Sequence, residues 1–539
     1  MKLKNIFSAV AAAAMLTACV GDLNTIPLNQ TDVTSETAYG ADEAGYVQGL
    51  TKIYFQLVSN NTQDLQVADG GASEFIRAFW STQEVTADAA KCAWGDAWVN
   101  DLNNNTWKGD VLNDAVYAVY VRTLQGITYV NEYLRQTSDA NLDLRGCSAD
   151  VKAKVQEYRA EARFLRAFFY WAAMDTFGQV PFSTEHTQFG GGYNPPQAPA
   201  AEIFDFIVSE LKDLASDGSA MPAAQSNYPR ADKGSVLGLL TRVYLNAEVY
   251  TGTAMWAEAK ATCEKIYSLG YELAPTHAEL FRGDNGENPD AKKEMLFAAS
   301  YNAEHTQSYG GTTYLTLSTL SGDDGAVNII GINGGWAGNR VPDHYVQTYF
   351  APTAADFATG DYTIADKRAY FYIKGRSQSM QDNLNTFLNG WSCIKFNNVP
   401  HDMEAVDYAA TAATKNFSDI DWPLIRLGEI HLIYAEACMH AGGDASEQVK
   451  ALAERAGVTA PATIDADYLM AERARELMWE AHRRTDLIRF GKWISGYNWT
   501  YKGGNFGGQD LPEHFNVFPV PSTELATNLD LDQNPGYAR

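Results

Sequence analysis

The sequence predicts a mostly α-helical chain, a tetratricopeptide-like scaffold of helical pairs carrying a loop-rich, irregular region. Three observations predict this class. Apolar residues recur at every third or fourth position over several stretches, small residues fall where paired helices would cross, and between about 270 and 420 the period gives way to Gly, Asn and Thr. No strict 34-residue repeat is present, so only the pairing principle is expected.

Taken in order, the first element is not part of the fold. Two lysines, an apolar run from Ile6 to Leu16 and the box Leu16-Thr17-Ala18-Cys19 read as a lipoprotein signal peptide over 1–18. Cys19 is then the lipidation site. Its acyl chains, each methylene adding about 0.8 kcal/mol, would anchor the protein to a bilayer without spanning it. A polar tether follows over 19–38, and 39–539 reads as a single domain. Within it, helical scaffold blocks are expected at about 150–270 and 421–539, and the binding region at about 270–420 with 74–110.

In the first block, Ala162, Leu165, Phe169 and Ala172 define a helix that should stop before Gly178 and Pro181. Val236, Leu240, Val243, Ala247 and Tyr250 define a second, with Asp232 as its cap. A third over 256–269, closed by Gly270, makes a hairpin with it. Between the blocks, 313–317 looks β-like. In the second block, Leu424, Leu427, Ile430, Tyr434 and Ala437 form a stripe ended by Gly442-Gly443, and a last long helix spans 467–490. His431 and His440, on or just beyond that stripe, read as surface or core residues rather than ligands.

Formal charge is −25, from 41 basic and 66 acidic residues, and loss of Lys2 and Lys4 with the leader makes the mature chain about two charges more negative. Such a field repels phosphate backbones, which argues against a nucleic-acid partner. The five cysteines beyond Cys19 show no regular spacing and no CxxC, so neither a disulfide framework nor a cysteine zinc site is expected. HExxH, GxSxG, GxxxxGK[ST] and GxGxxG are all absent. A glycosidase needs only two suitably spaced carboxylates, and nothing nominates a pair. Glu84 and Asp88 read as solvated or cap-forming. The run from Asp284 through Glu287 to Asp290 is oxygen-rich enough for Ca²⁺, yet Pro289 stands where an EF-hand needs glycine.

The better lead is aromatic. The chain holds 12 Trp, 29 Tyr and 24 Phe, many among Gly, Asn, Asp and Thr. Trp94 and Trp98, Tyr309 beside Gly310-Gly311, and Trp336 after Gly334-Gly335 are of this kind. A sugar ring offers a flat C–H face to an aromatic ring, while its hydroxyls need amide, carboxylate or guanidinium partners.

Four blocks in order resemble the SusD/RagB family of outer-membrane glycan-binding lipoproteins. They are YRAEARFLRA at 158–167 running to FGQVPF at 177–182, RADK at 230–233 running to LLTRVYLNA at 239–247, ERARE at 472–476 with HRRTDLIRFG at 482–491, and FPVP at 518–521 running to QNPGY at 533–537. Their arginines and glutamates suggest a buried ion-pair network that holds the scaffold. The resemblance implies four tetratricopeptide-like helical pairs, no enzymatic activity, and a lid-like partnership with a SusC-type TonB-dependent outer-membrane transporter. It places the chain at the cell surface, lipid-anchored. Within the family the loops look most like those of the starch-binding member. That likeness assigns an aromatic arc to Trp94, Tyr309 and Trp336, with Arg77, in Glu74-Phe75-Ile76-Arg77, and Asn100 pairing hydroxyls; Trp98 replaces Trp94 if the alignment slips. It also implies a calcium site, with Asp284 and Glu287 as ligands. The function expected is capture of starch or another α-glucan (maltooligosaccharides) and its delivery to the transporter. The alternatives are a surface glycoside hydrolase, or capture of a different glycan, a peptide or a siderophore.

Overall fold

The computed structural model describes residues 35–60, 65, 67, 69–188, 194–381 and 383–539. The leader, Cys19 and most of the tether lie outside these residues, and the tether's last positions belong to a helix, Ser35–Tyr39. Among the described residues no helix is long and apolar enough to cross a membrane.

The scaffold is a succession of helices, each packed on the next. Asp114–Gln136 packs on Ala149–Phe177, which packs on Ala200–Leu214; Lys233–Leu245 follows, then Trp256–Tyr267, then Leu427–Ala441, which carries Ser446–Ala456 and Ala466–Glu476. The Ala149–Phe177 helix starts at Ser148, whose Oγ accepts the Val151 N–H, and ends at Gly178, in a positive-φ conformation that glycine adopts freely. Close crossings fall on small residues, as the pattern predicts. Gly126 faces the Phe169 ring, where an added Cβ would sit 2.6 Å from a ring carbon.

Most of the motif charges are buried, Arg230 being partly exposed, and their pairs tie the scaffold together. Glu161 pairs with Arg230, Arg166 with Glu210 at 2.9 Å, Arg242 with Glu429 at 2.6 Å, and Arg489 with Glu436 at 2.6 Å. Around Arg426, the carboxylates of Glu294, Glu476 and Glu480 lie at 3.0, 2.6 and 2.7 Å.

An antiparallel strand pair, Met295–Ala299 with Trp422–Arg426, closes most of the irregular region at its base. Everything between the two strands is therefore a bounded excursion from the scaffold. All five described cysteines are buried and unpaired.

Several expectations need correction. Leu424 lies in the strand, and the helix it was to open begins at Leu427. The supposed β-run is a buried helix, Gly311–Leu317, in which Thr316 Oγ1 donates back to the Thr312 carbonyl. The second periodic stripe divides into Lys233–Leu245 and Ala247–Thr251, with Asp232 capping the first as expected. The long C-terminal helix breaks between Glu476 and Arg483, where Trp479 and Ala481 take positive φ. That break is stapled by indole hydrogen bonds, Trp80 to the Trp479 carbonyl and Trp479 to the Ala89 carbonyl. Glu84 and Asp88 are not solvated: both are buried, Asp88 under Arg483 at 2.6 Å and Glu84 accepting the His482 N–H. His431, expected at the surface or in the core, is in the core, and its pKa is lowered to about 4 by that burial.

Candidate functional site

A two-residue ladder brings the expected aromatics together. Lys91–Cys92 pairs antiparallel with Asn339–Arg340, and the next residue, Ala93, donates its N–H to the Gly338 carbonyl at 2.8 Å. Trp94 therefore emerges beside the chain that carries Trp336, and its indole Nε1–H donates to the Trp336 carbonyl at 3.0 Å. Glycine at 338 is required by this approach, since a Cβ there would sit 2.8 Å from the Trp94 indole. Trp336 is set by its own N–H, which bonds to the Leu317 carbonyl at 2.8 Å. Tyr309, 53% exposed, lies with its ring centroid 6.3 Å from that of Trp336 at 48°. Phe417 extends the row, 5.1 Å from Tyr309.

Arg77 does not stand at the surface. Its side chain is only 2% exposed, its guanidinium bonds to Asp69 at 2.6 Å, and it lies 5.3 Å from the Trp94 centroid and 4.4 Å from that of Tyr314. The cation thus braces Trp94 through its π-face. Asn100 sits at the rim: its Oδ1 accepts from Asn385 at 3.2 Å, and the same Asn385 amide reaches the Ala93 and Trp94 carbonyls at 3.2 Å. Trp98 points into the main core and is buried, so the slipped alignment would put no exposed ring here.

Beneath the Tyr309 loop lies Glu74. Its Oε1 accepts from Tyr301 Oη at 2.7 Å and from Ser308 Oγ at 3.1 Å, and a Cβ on Gly310 would overlap its carboxylate. Burial outweighs those hydrogen bonds and pushes its pKa up to about 8. Asp69 and Glu74 are thus engaged in holding this assembly. The surface they support offers flat rings edged by amides, suited to stacking with an apolar ring face while pairing hydroxyls.

Two contributors were missed by sequence. Phe417 stands between Asn416 and Ser418 and meets the same aromatic-in-polar-company criterion. Asn385 gives no such signal, because its role depends on how its loop closes.

The acidic run forms a turn. Asp284 clusters with His401 and Asp402, their ligand atoms within 4.8 Å of one another, while exposed Glu287 is outside that group. Both Asp284 oxygens accept from His401, at 2.9 Å from its backbone and 2.6 Å from Nδ1, which raises the imidazole pKa. The Asn285 amide turns inward to the Leu280 and Asp421 carbonyls, both at 2.7 Å. Calcium takes about 6–8 oxygens. Here Asp284 is engaged by His401 and the Asn285 amide turns inward, while Glu287 stands apart from the Asp284 cluster.

The fold and its blocks define a class. A family model described as the SusD family matches residues 269–537, and one described as starch-binding associating with outer membrane matches 56–245. The chain belongs to the SusD family. A particular relative, the starch-binding protein SusD of Bacteroides thetaiotaomicron, is 31% identical, the alignment covering 99% of each chain. SusD-like protein P2 of Formosa agariphila is 26% identical over 88% of this chain and 93% of its own. Among solved structures, a SusD superfamily protein from Parabacteroides distasonis superposes with a TM-score of 0.69 at 20% identity, covering 94% of this chain and all of that one. Surface glycan-binding protein A from Bacteroides thetaiotaomicron, in complex with laminarihexaose, gives 0.66 at 17% identity, over 91% and 99%.

Proposed function

We propose that this protein captures an α-glucan, starch or its maltooligosaccharides, at the cell surface and passes it to a SusC-type TonB-dependent transporter, without catalysing a reaction on it. Cys19 would carry the lipid that keeps it at the outer membrane. The observation that carries the reading is the convergence of three separate stretches of chain, the Tyr309 and Trp336 rings lying side by side and the Trp94 indole bonded to the Trp336 carbonyl. Rings tilted by 48° between Tyr309 and Trp336 suit a curved chain better than a flat one. Affinity of one copy for a short segment can be modest, because a polymer engages many anchored copies at once. The starch-binding relative at 31% identity supports the choice of glucan.

Affinity electrophoresis through starch, beside a reducing-sugar assay, tests it. Retardation without sugar release is expected. Trp336→Ala combined with Tyr309→Ala should abolish retardation and leave the thermal transition nearly unchanged, because the backbone carbonyl that holds Trp94 survives the substitution. Unchanged migration of that variant removes the arc from the mechanism, and sugar release makes the protein a hydrolase. A parallel laminarin gel decides between glucan linkages.

A further inference from the structure

Away from the aromatic row, an open cleft of about 380 Å³ is bounded by Asp343, His344, Gln378, Asn498, Trp499 and Phe506. That volume lies in the range of small-ligand sites, about 300–1,000 Å³. One wall is an aromatic ring at the surface, Phe506, 37% exposed and held edge-to-face by Tyr501 at 5.7 Å. Opposite chemistry comes from Asp343, fixed by the Trp391 indole N–H at 2.9 Å and by the Gln378 amide at 3.0 Å. Trp499, stacked on Trp493 at 5.3 Å, is buried, and its indole N–H has no hydrogen-bond partner. A buried donor without an acceptor is uncommon in a folded protein, and it lies on a residue that lines the cleft.

Among the described residues no lysine or arginine lines the cleft, so a phosphate or carboxylate would find no counter-charge there. We propose that the cleft is a second carbohydrate subsite for a neutral, hydroxyl-rich ring, with Phe506 against its C–H face and Asp343, Gln378 and Asn498 pairing its hydroxyls. The subsite is joined to the aromatic row by one loop. Ser377 N donates to the Leu388 carbonyl and Gly390 N to the Ser377 carbonyl, both at 2.7 Å, which ties Ser377 to Leu388 and Gly390. Gln378 on one arm of that loop walls the cleft, while Asn385 grips the Trp94 backbone.

The test uses the full chain bearing Trp336→Ala and Tyr309→Ala, labelled with ¹⁵N at the tryptophan indoles, and titrated with maltotriose and with laminaritriose. The Trp499 signal, assigned by Trp499→Phe, should shift saturably with at least one trisaccharide. Adding Phe506→Ala and Asn498→Ala should weaken that response by about tenfold or more. An unmoved Trp499 signal with both sugars, or a response equal in the variant lacking Phe506 and Asn498, overturns the subsite. The retardation in starch that is lost between the intact protein and the Trp336→Ala, Tyr309→Ala variant reports on the row, and the Trp499 signal reports on the cleft, so the two readings fail separately.

Discussion

Trp94 is held by its indole hydrogen bond to the Trp336 carbonyl, by the Arg77 guanidinium against its ring, and by the bare Cα of Gly338. Gly338→Ala puts a carbon 2.8 Å from the indole, and the half-buried ring is the group free to move. We expect that variant to lose about tenfold in glucan affinity, ~1.4 kcal/mol, with little change in melting temperature; full retention in the starch gel would show that the ring's position is not critical. Glu74 offers a test by pH. Its folded pKa of about 8 lies above the ordinary glutamate value of 4.5, so the folded state holds the proton more tightly than the unfolded chain does. The stabilisation from the neutral carboxyl is full below pH 4.5 and is lost as pH rises through 8. Glu74→Gln keeps a neutral amide there. Its melting temperature relative to wild type should therefore climb between those pH values. The gain is worth a few kcal/mol at most, since each tenfold change in proton affinity corresponds to ~1.4 kcal/mol. A difference that is flat with pH sinks this account of Glu74.

Helices are joined here by buried charge pairs as well as by apolar faces. Arg242, on Lys233–Leu245, gives Glu429, on Leu427–Ala441, two hydrogen bonds at 2.8 and 2.6 Å, and Glu429 is held down to a pKa of about 2 chiefly by that guanidinium working against burial. Arg242→Met strands a buried carboxylate and should cost about 3–5 kcal/mol, whereas Arg242→Met with Glu429→Leu should recover much of it. Urea unfolding of both variants measures this; a double variant no better than the single one means the pair itself, not the stranded charge, stabilises the fold. What was legible in sequence follows the same physics. The helix ending at Gly178 and the cap at Asp232 are local, and local chemistry identified them. The break after Glu476 leaves no local trace because apolar spacing continues through it, while its cause, the indole of Trp80, lies 399 residues away. Glu84 and Asp88 looked solvated for a similar reason, since Arg483 is 395 residues from Asp88. Thr313 and Thr316 read as strand by their branching, yet full burial, and back-bonding of Thr316 to the helix carbonyl of Thr312, overrode that preference. At the site, Trp94, Tyr309 and Trp336 announced themselves as rings among small polar residues, while the burial of Arg77 and the reach of Asn385 exist only once distant segments meet.

Over the whole molecule, 66 acidic residues against 41 basic ones set a negative field with a formal charge of −25. The proposed aromatic row, by contrast, would offer a ligand rings and amides, and the cation beside it, Arg77, is already neutralised by Asp69. Binding of an uncharged glucan should therefore ignore ionic strength, because no counterions are displaced when it docks. A polyanionic glycan faces the opposite situation: it is repelled by the protein at low salt, and that repulsion is screened as the Debye length falls from about 30 Å at 0.01 M to about 8 Å at 0.15 M. Calorimetry with maltoheptaose across that salt range should return one dissociation constant within about twofold. Dextran sulfate should bind more weakly at every salt concentration and least at the lowest. Affinity for maltoheptaose that falls steeply with salt would place charged groups in the contact and contradict an aromatic row as its basis. Tighter binding of dextran sulfate at low salt would mean that a local basic patch, not the net field, governs what reaches the surface.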